Sequence, residues 1–140
     1  MVSLATCFAL TSPLGLAGCS AGRHSACYPS PLHLSSQRIR AGTDVTLASA
    51  PFACNASYPV GKVYTVVLAA AGRPGPTHLV DVPVQRDGSF RATIRIPAGA
   101  SPGESAVSVL GSRFDLPCKD TVATSCASYA IGLTILADRD

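Results

Sequence analysis

The fold of this chain is decided by Asp87-Gly88-Ser89-Phe90-Arg91-Ala92-Thr93-Ile94-Arg95-Ile96, a turn followed by a strand. Asp-Gly is typical of tight turns between β-strands, because glycine adopts positive φ angles at little cost. After the turn, apolar and polar residues alternate, so an extended chain has one apolar face and one polar face. A helix would scatter the same apolar residues around its circumference. The segment therefore predicts a hairpin turn and a half-buried β-strand, with these residues facing the core: Phe90, Ala92, Ile94 and Ile96.

Turn signals recur at close spacing on both sides of this segment, which is the pattern of an all-β sandwich. Residues 62–70 are predicted to form a central strand because they are almost entirely apolar. Pro83 restricts its own strand to an edge or a bulge, since proline cannot donate a ladder hydrogen bond. The fold class predicted for residues 31–140 is therefore an all-β, seven-stranded antiparallel β-sandwich. Its other strands are predicted within residues 32–40, 44–50, 78–84, 105–111 and 129–136.

Several of these motifs resemble those of the immunoglobulin-like modules of bacterial surface proteins and actinobacterial lipoproteins. The resemblance covers roughly residues 32–136 and rests on turn and core positions. Motifs of this kind indicate a fold and say little about function. The resemblance implies that the sandwich is immunoglobulin-like. The segments that carry it are Asp44-Val45-Thr46-Leu47, Asp87-Gly88-Ser89-Phe90, Ile96-Pro97, and Ser101-Pro102-Gly103 with the following Val107-Ser108-Val109.

A narrower likeness concerns the last part of the chain. Cys118 to Cys126, followed by Ala127-Ser128-Tyr129-Ala130, is similar to the second disulfide loop and last strand of neocarzinostatin-type apoproteins. Those proteins are seven-stranded sandwiches that carry an enediyne chromophore in a cleft. The likeness implies an alternative function, a small-molecule carrier with a cleft between the sheet and this loop. Cys27 and Cys54 do not match the first disulfide of those proteins, which are secreted rather than lipidated.

The first residues of the chain predict export and a membrane anchor. Residues 2–17 contain no charged side chain, and the run is shorter than the roughly 20 apolar residues needed to span a bilayer. It ends in Leu16-Ala17-Gly18-Cys19, which resembles the lipobox of bacterial lipoproteins; the alternative is a chance cysteine after an ordinary signal peptide. The resemblance implies that residues 1–18 are a lipoprotein signal peptide and that the Cys19 thiol is acylated. We therefore expect an extracytoplasmic protein with a lipid anchor in the cell membrane at Cys19 and a tether over residues 19–30.

Four cysteines remain after Cys19, and an even number in an oxidising compartment predicts two disulfides. Three pairings are possible. Cys27 and Cys54 lie symmetrically about the turn predicted near residues 41–43, and an antiparallel hairpin would place them opposite each other. We therefore predict the pairs Cys27–Cys54 and Cys118–Cys126.

The composition and the motifs favour a protein without catalytic activity. The net charge of +3 is small and the basic residues are scattered, so nucleic-acid binding is not indicated. His24, His33 and His78 include no closely spaced pair, so neither a metal site nor another cofactor is predicted. No serine lies in a nucleophile elbow, which makes an enzyme the least favoured class. The exposed residues Arg91 and Arg95, together with Arg86, form either a basic stripe or an ordinary solvated strand face.

The connection before the last strand is the predicted recognition loop. It is long, it carries Asp115, Lys119 and Asp120, and a Cys118–Cys126 bridge would lower the entropy lost when a partner binds. The alternative is a bridge that only stabilises a loose connection. The function predicted is a lipid-anchored binding or structural module of the cell envelope, whose partners are the membrane and an unknown protein or cell-wall ligand.

Overall fold

Alternating side chains build two facing β-sheets. The computed structural model describes residues 27–113 and 129–137, which contain eight strands and no helix long and apolar enough to cross a membrane. The sheets have the strand orders β1-β3-β6 and β2-β8-β7-β4-β5. The protein is therefore all-β and sandwich-like. The strands are β1 (Leu32–Leu34), β2 (Arg38–Arg40), β3 (Asp44–Ser49), β4 (Val63–Ala69), β5 (Thr77–Pro83), β6 (Phe90–Arg95), β7 (Gly103–Leu110) and β8 (Ala130–Leu136).

The core lies between the two sheets and uses every second residue of most strands. In β6 the alternation is as predicted: Phe90 and Ile94 are buried, Ala92 is half-buried, and the residues between them are exposed. The same period places Val107 and Val109 of β7 in the core. The largest fully buried side chains are Tyr64, Leu47, Leu68, Ile94, Ile96, Ile135, Val66, Val107 and Val109.

The turn before β6 joins the two sheets instead of closing a hairpin within one sheet. Gly88 has a positive φ of 83°, whereas Asp87 has a negative φ. A two-residue type I′ hairpin loop would require positive φ at both residues. Gln85 and Ser89 make the first rung, through a Gln85 N to Ser89 O hydrogen bond of 2.9 Å. Beyond that rung β5 and β6 belong to different sheets, because the apolar faces of both strands cover the same core from opposite sides. The predicted hairpin was therefore wrong beyond its turn.

The predicted strand over residues 32–40 is divided between the two sheets. β1 pairs with β3 in antiparallel register, whereas β2 pairs with β8 in parallel register. The chain bends between them, where the Ser35 hydroxyl accepts a hydrogen bond from Thr46 N at 3.0 Å. The division lets Leu32 and Ile39 enter the core from opposite layers. The described residues therefore form eight strands with one parallel pair, and the prediction of seven antiparallel strands was wrong in both respects.

The prediction of a central and an edge strand is confirmed. β4 lies between β7 and β5 and has only two exposed residues, Val63 and Ala69. β5 is an edge, and the hydrogen bond from Val84 N to Lys62 O shows which of its backbone groups face β4. By alternation, the backbone of Pro83 faces away from β4, so its missing N–H removes no ladder hydrogen bond.

The Cys27–Cys54 disulfide is present, as predicted, with a Cα–Cα distance of 5.9 Å. Its position follows from the β1–β3 register, in which Leu32 lies opposite Ser49. Continuing that register by five residues in each direction brings Cys27 opposite Cys54. The prediction succeeded because the centre of symmetry did not depend on what the chain does between the two strands.

Candidate functional site

The disulfide lies at one end of the sandwich, and the aromatic side chains of the described residues gather at the same end. Tyr64 is fully buried and its ring makes edge-to-face contacts with Tyr58, Phe90 and Tyr129, at centroid distances of 5.9, 5.5 and 6.2 Å. Phe52 extends the cluster towards solvent, with its ring 5.1 Å from that of Tyr58. We call this part of the molecule, from Cys27–Cys54 to these rings, the disulfide end.

Hydrogen bonds satisfy the buried hydroxyl groups of the cluster. Tyr64 donates to the Tyr58 hydroxyl at 2.8 Å. The Tyr129 hydroxyl is 2.7 Å from Ser49 Oγ and 2.6 Å from the carbonyl oxygen of Ser30. Burial raises the pKa of Tyr129, although the hydrogen bond with Ser49 acts in the opposite direction. These contacts hold the start of the described chain against β3 and β8, so residues 27–30 of the predicted tether are fastened to the sandwich.

Two cations lie over aromatic rings of the cluster. The Lys62 ammonium group is 5.5 Å from the centroid of the Tyr58 ring and 5.8 Å from that of Tyr64. The Arg113 guanidinium group is 5.7 Å from the Phe52 centroid and 5.6 Å from that of Tyr58. Contacts of this kind are attractive because the face of an aromatic ring is electronegative. The disulfide end therefore combines an aromatic interior with a basic exterior.

An open groove of about 400 Å³ lies beside this cluster, where the turn leads from β5 into β6. Phe90 and Pro83 supply apolar surface, and Ser89, Gln85 and Arg91 supply polar groups. Ser89 donates its hydroxyl and its backbone N–H to the Asp87 carboxylate, at 2.7 and 3.0 Å, and these bonds lower the pKa of Asp87. The side chains of Gln85 and Arg91 make no hydrogen bond or ion pair with the described residues, which leaves them available to a ligand.

A second polar cluster lies on the exposed face of β4 and β5. His78 Nε2 is 3.2 Å from Asp81 Oδ1, and the Thr65 hydroxyl donates to the same oxygen at 2.9 Å. The hydrogen bond with His78, and then that from Thr65, lowers the pKa of Asp81. The carboxylate lies between the other two groups, whereas a catalytic triad needs the imidazole next to the nucleophile. The cluster is therefore a surface hydrogen-bond network centred on the Asp81 carboxylate.

Of the predicted site residues, the structure describes Cys27 and Cys54. Cys27 and Cys54 are joined. The lipidation site Cys19 and the predicted recognition loop lie outside the described residues. The residues of that loop are Asp115, Cys118, Lys119, Asp120 and Cys126.

The arginine and histidine residues considered as candidate sites do not form one cluster. Arg91 and Arg95 share the exposed face of β6, whereas Arg86 lies in the turn before it. Arg95 is 3.5 Å from Asp44, an exposed pair that contributes little to stability. His33 and His78 belong to different sheets. Within residues 27–113 and 129–137 no three His, Cys, Asp or Glu side chains come together as a metal site would require.

The groove could not be predicted from the sequence because its residues carry no motif. Phe90 was predicted as a core residue, and it also forms part of the groove wall. The available signal was indirect: Pro83 marks an edge strand, and the turn that follows brings Gln85 and Arg91 beside that edge.

The described residues thus define an all-β, sandwich-like protein with a disulfide, an aromatic cluster and an open groove at one end. The sequence matches no family model, and a search of the curated proteins finds no match.

Proposed function

We propose that this chain is a lipid-anchored, non-catalytic binding or structural module of the cell envelope. The observation that carries the proposal is the Cys27–Cys54 disulfide, which hints at an oxidising, extracytoplasmic environment. Cys27 is only eight residues beyond Cys19, the cysteine of the lipobox-like motif. An anchor at Cys19 would hold the sandwich close to the outer surface of the membrane.

The proposed sandwich is immunoglobulin-like. In support, the strand order β1-β3-β6 faces a sheet that contains β8-β7-β4, an order compatible with the A-B-E and G-F-C sheets of that fold. The fully buried Tyr64 lies on β4, the counterpart of the strand that carries a buried tryptophan in antibody domains. The disulfide departs from those domains, because it bridges the segments that flank β1 and β3 instead of joining the two sheets.

The groove beside β5 and β6 is the proposed ligand site of the module. The Arg91 guanidinium and the Gln85 amide, which have no side-chain partner among the described residues, suit an acceptor-rich ligand such as a carboxylate or an amide of an envelope polymer. The Phe90 ring supplies apolar contact area next to them. This arrangement supports binding, since Arg91, Gln85 and Phe90 offer a charge, hydrogen-bonding groups and apolar contact area, and none of these three side chains is a nucleophile.

The anchor is tested with protein extracted by mild detergent from the membranes of its producer. We expect a mass equal to the acylated chain from Cys19 less four thiol hydrogens, and we expect the Cys19→Ala variant to leave the membrane after a high-salt wash. Salt removes proteins held by charge alone, so it distinguishes a lipid anchor from surface attraction. An unacylated mass, or a Cys19→Ala variant that resists the wash, contradicts the proposal.

A small-molecule carrier is the second candidate, and the groove of about 400 Å³ favours it because this volume suits a small ligand. The cleft expected for a carrier involves the Cys118–Cys126 loop, which lies outside the described residues. A non-covalent mass that is released on denaturation of the native protein would place the carrier first. Arg91→Ala would then lower the amount of the released compound, whereas Arg38→Ala, on β2 of the other sheet, would not.

A further inference from the structure

Exposed apolar side chains gather at the disulfide end. The large hydrophobic residues exposed within the described part of the chain are Tyr28, Val60, Val63 and Leu110. Val60 is 85% exposed and occupies the tip of a turn, in which Lys62 N donates to Pro59 O and Gly61 has a φ of 83°. Single exposed apolar residues are common on protein surfaces, but a group at one end of a molecule marks an interaction surface.

Strand pairing places Val63 and Leu110 at that end, and the disulfide places Tyr28 there. Val63 begins β4 and Leu110 ends β7, and these ends are adjacent because Thr65 lies opposite Leu110. Tyr28 follows Cys27 directly. The turns at the other end of the sandwich carry no large exposed hydrophobic side chain among residues 27–113 and 129–137.

Basic side chains surround this apolar group. Lys62 lies two residues after Val60, and Arg113 lies three residues after Leu110. Arg86 lies in the adjacent turn, and its backbone carbonyl accepts a hydrogen bond from Tyr58 N. None of the three cations forms an ion pair with a carboxylate in the part of the chain that the structure describes. The acidic residue of the adjacent turn, Asp87, is already engaged by Ser89. The charge at this end therefore favours an anionic partner.

The chain enters the sandwich at the same end. Cys27 is fastened by its disulfide, and the eight residue steps from Cys19 to Cys27 reach about 28 Å at most when the chain is extended. This step rests on the proposed function, because it takes Cys19 as the anchor. With Cys19 in the bilayer, the disulfide end is the part of the sandwich that is held nearest to the lipid surface.

We propose that the disulfide end is a second membrane contact, which docks on the surface of an anionic bilayer. Val60 and its apolar neighbours enter the interface, while Lys62, Arg86 and Arg113 meet the lipid phosphates. Each basic residue close to an anionic surface strengthens binding about fivefold, and an aromatic residue such as Tyr28 is suited to the interface. A second copy of the chain is a poorer occupant, since it would bring the two sets of cations together. The contact fixes the orientation of the sandwich, which a flexible tether alone leaves free.

Because the chain contains no tryptophan, the contact can be tested with a single introduced fluorophore. The acylated Val60→Trp protein is reconstituted into vesicles of phosphatidylglycerol or of phosphatidylcholine. We expect its emission to shift to the blue and to be quenched by brominated lipid in the phosphatidylglycerol vesicles. The matched control is Ser101→Trp, in the exposed loop between β6 and β7 at the other end, whose emission stays unchanged.

Charge reversal tests the basic residues in the Val60→Trp protein. Lys62→Glu with Arg113→Glu is expected to abolish the shift, whereas the same change at the distant, exposed residues Arg38 and Arg73 leaves it intact. Because Lys62 and Arg113 also contact rings, Arg86→Glu serves as a second variant that leaves those ring contacts in place, and it should reduce the shift. Thermal unfolding identifies any variant that fails to fold.

Three results would overturn the proposal: equal emission in both kinds of vesicle, equal quenching of Val60→Trp and Ser101→Trp, or a blue shift without lipid that accompanies a doubled mass. The last result would assign the surface to a second copy. The proposed anchor fails separately. If the Cys19→Ala protein binds phosphatidylglycerol vesicles as strongly as the acylated protein does, the anchor falls while the docking surface stands.

Discussion

The two ends of the sandwich are closed in different ways. At the disulfide end, residues 50–62 form no strand, and they are held by ring packing and by backbone bonds such as Phe52 N to Asp87 O at 2.8 Å. At the opposite end, aliphatic side chains fill the core and the chain returns through a short turn, where Gly42 N and Thr43 O both bond to Ile96 at 2.9 Å. The buried aliphatic residues of that end include Ile39, Val45, Ile94, Ile96 and Ile135.

The difference shows what replaces a strand when the chain has none. A ladder satisfies its own backbone groups, so the opposite end needs few side-chain partners, such as the Ser105 hydroxyl that accepts a hydrogen bond from Ala71 N at 3.3 Å. An irregular segment must find partners for each of its polar groups. At the disulfide end, hydrogen bonds between side-chain hydroxyl groups and the disulfide help to hold the segment in place. We expect the disulfide end to be the more sensitive to single substitutions.

The largest effect is expected for Tyr64→Ala. The substitution removes a fully buried ring that contacts Tyr58, Phe90 and Tyr129, and it should lower the free energy of unfolding by about 4 kcal/mol. Tyr64→Phe keeps the ring contacts and loses only the hydroxyl, so about 1 kcal/mol is expected. The measurement is denaturant unfolding followed by circular dichroism. Ile96→Ala at the opposite end is the comparison, and a larger loss there than in Tyr64→Ala would reverse our view of the two ends.

The next effect is expected from removal of the disulfide. Cys27→Ser combined with Cys54→Ser releases a loop with a sequence separation of 27 residues, and should lower the free energy of unfolding by about 3.5 kcal/mol. The double variant is preferable to a reducing agent, which would also act on any other bridge. If its unfolding midpoint equals that of the native chain, the disulfide does not hold the irregular segment and the distinction between the two ends loses its main support.

A smaller effect separates backbone strain from packing at the disulfide end. Gly88 and Gly61 both have a φ of 83°, but a Cβ on Gly88 would lie 2.6 Å from the Phe52 ring, whereas a Cβ on Gly61 would meet no atom within 4 Å. Gly61→Ala should therefore cost about 1 kcal/mol of strain, and Gly88→Ala about 3 kcal/mol. Both are measured by denaturant unfolding. Equal losses would show that Phe52 moves aside freely and that its packing on the turn contributes nothing.

The smallest effect concerns pH. Hydrogen bonds from Ser89 lower the pKa of Asp87 below its ordinary value of 3.8, so the folded state favours the carboxylate. Its stabilising contribution is complete above pH 3.8 and is lost as the pH falls below 3.8 through the lower folded-state pKa. Asp87→Asn should therefore reduce the fall in melting temperature between pH 6 and pH 3. In Ser89→Ala, the pKa of Asp87 measured by NMR should rise; an unchanged value would mean that another group holds the carboxylate.

How far the fold could be predicted depended on whether the signal was local. The alternation in β6 and the edge position of Pro83 follow from side-chain period and from a missing N–H, and both predictions are confirmed. The Cys27–Cys54 pair also succeeded, because the antiparallel register has a single centre of symmetry. The division of residues 32–40 between two sheets was not predicted, since no local pattern indicates which layer Leu32 and Ile39 will each join. The groove could not be predicted for the same reason. Pro83 and Arg91 become neighbours only when the edge strands β5 and β6 of the two sheets come together.

The sequence by itself determined the all-β class, the inward-facing residues of its clearest strand and the partner of Cys27, because each follows from period or symmetry along a single stretch of chain. Only the tertiary structure decided that Asp87-Gly88 connects two sheets, that β2 runs parallel to β8, and that Val60, Lys62 and Arg113 share one end. These features depend on which layer each strand joins. Burial of the apolar faces against one common core selects that layer, and no short segment contains this information.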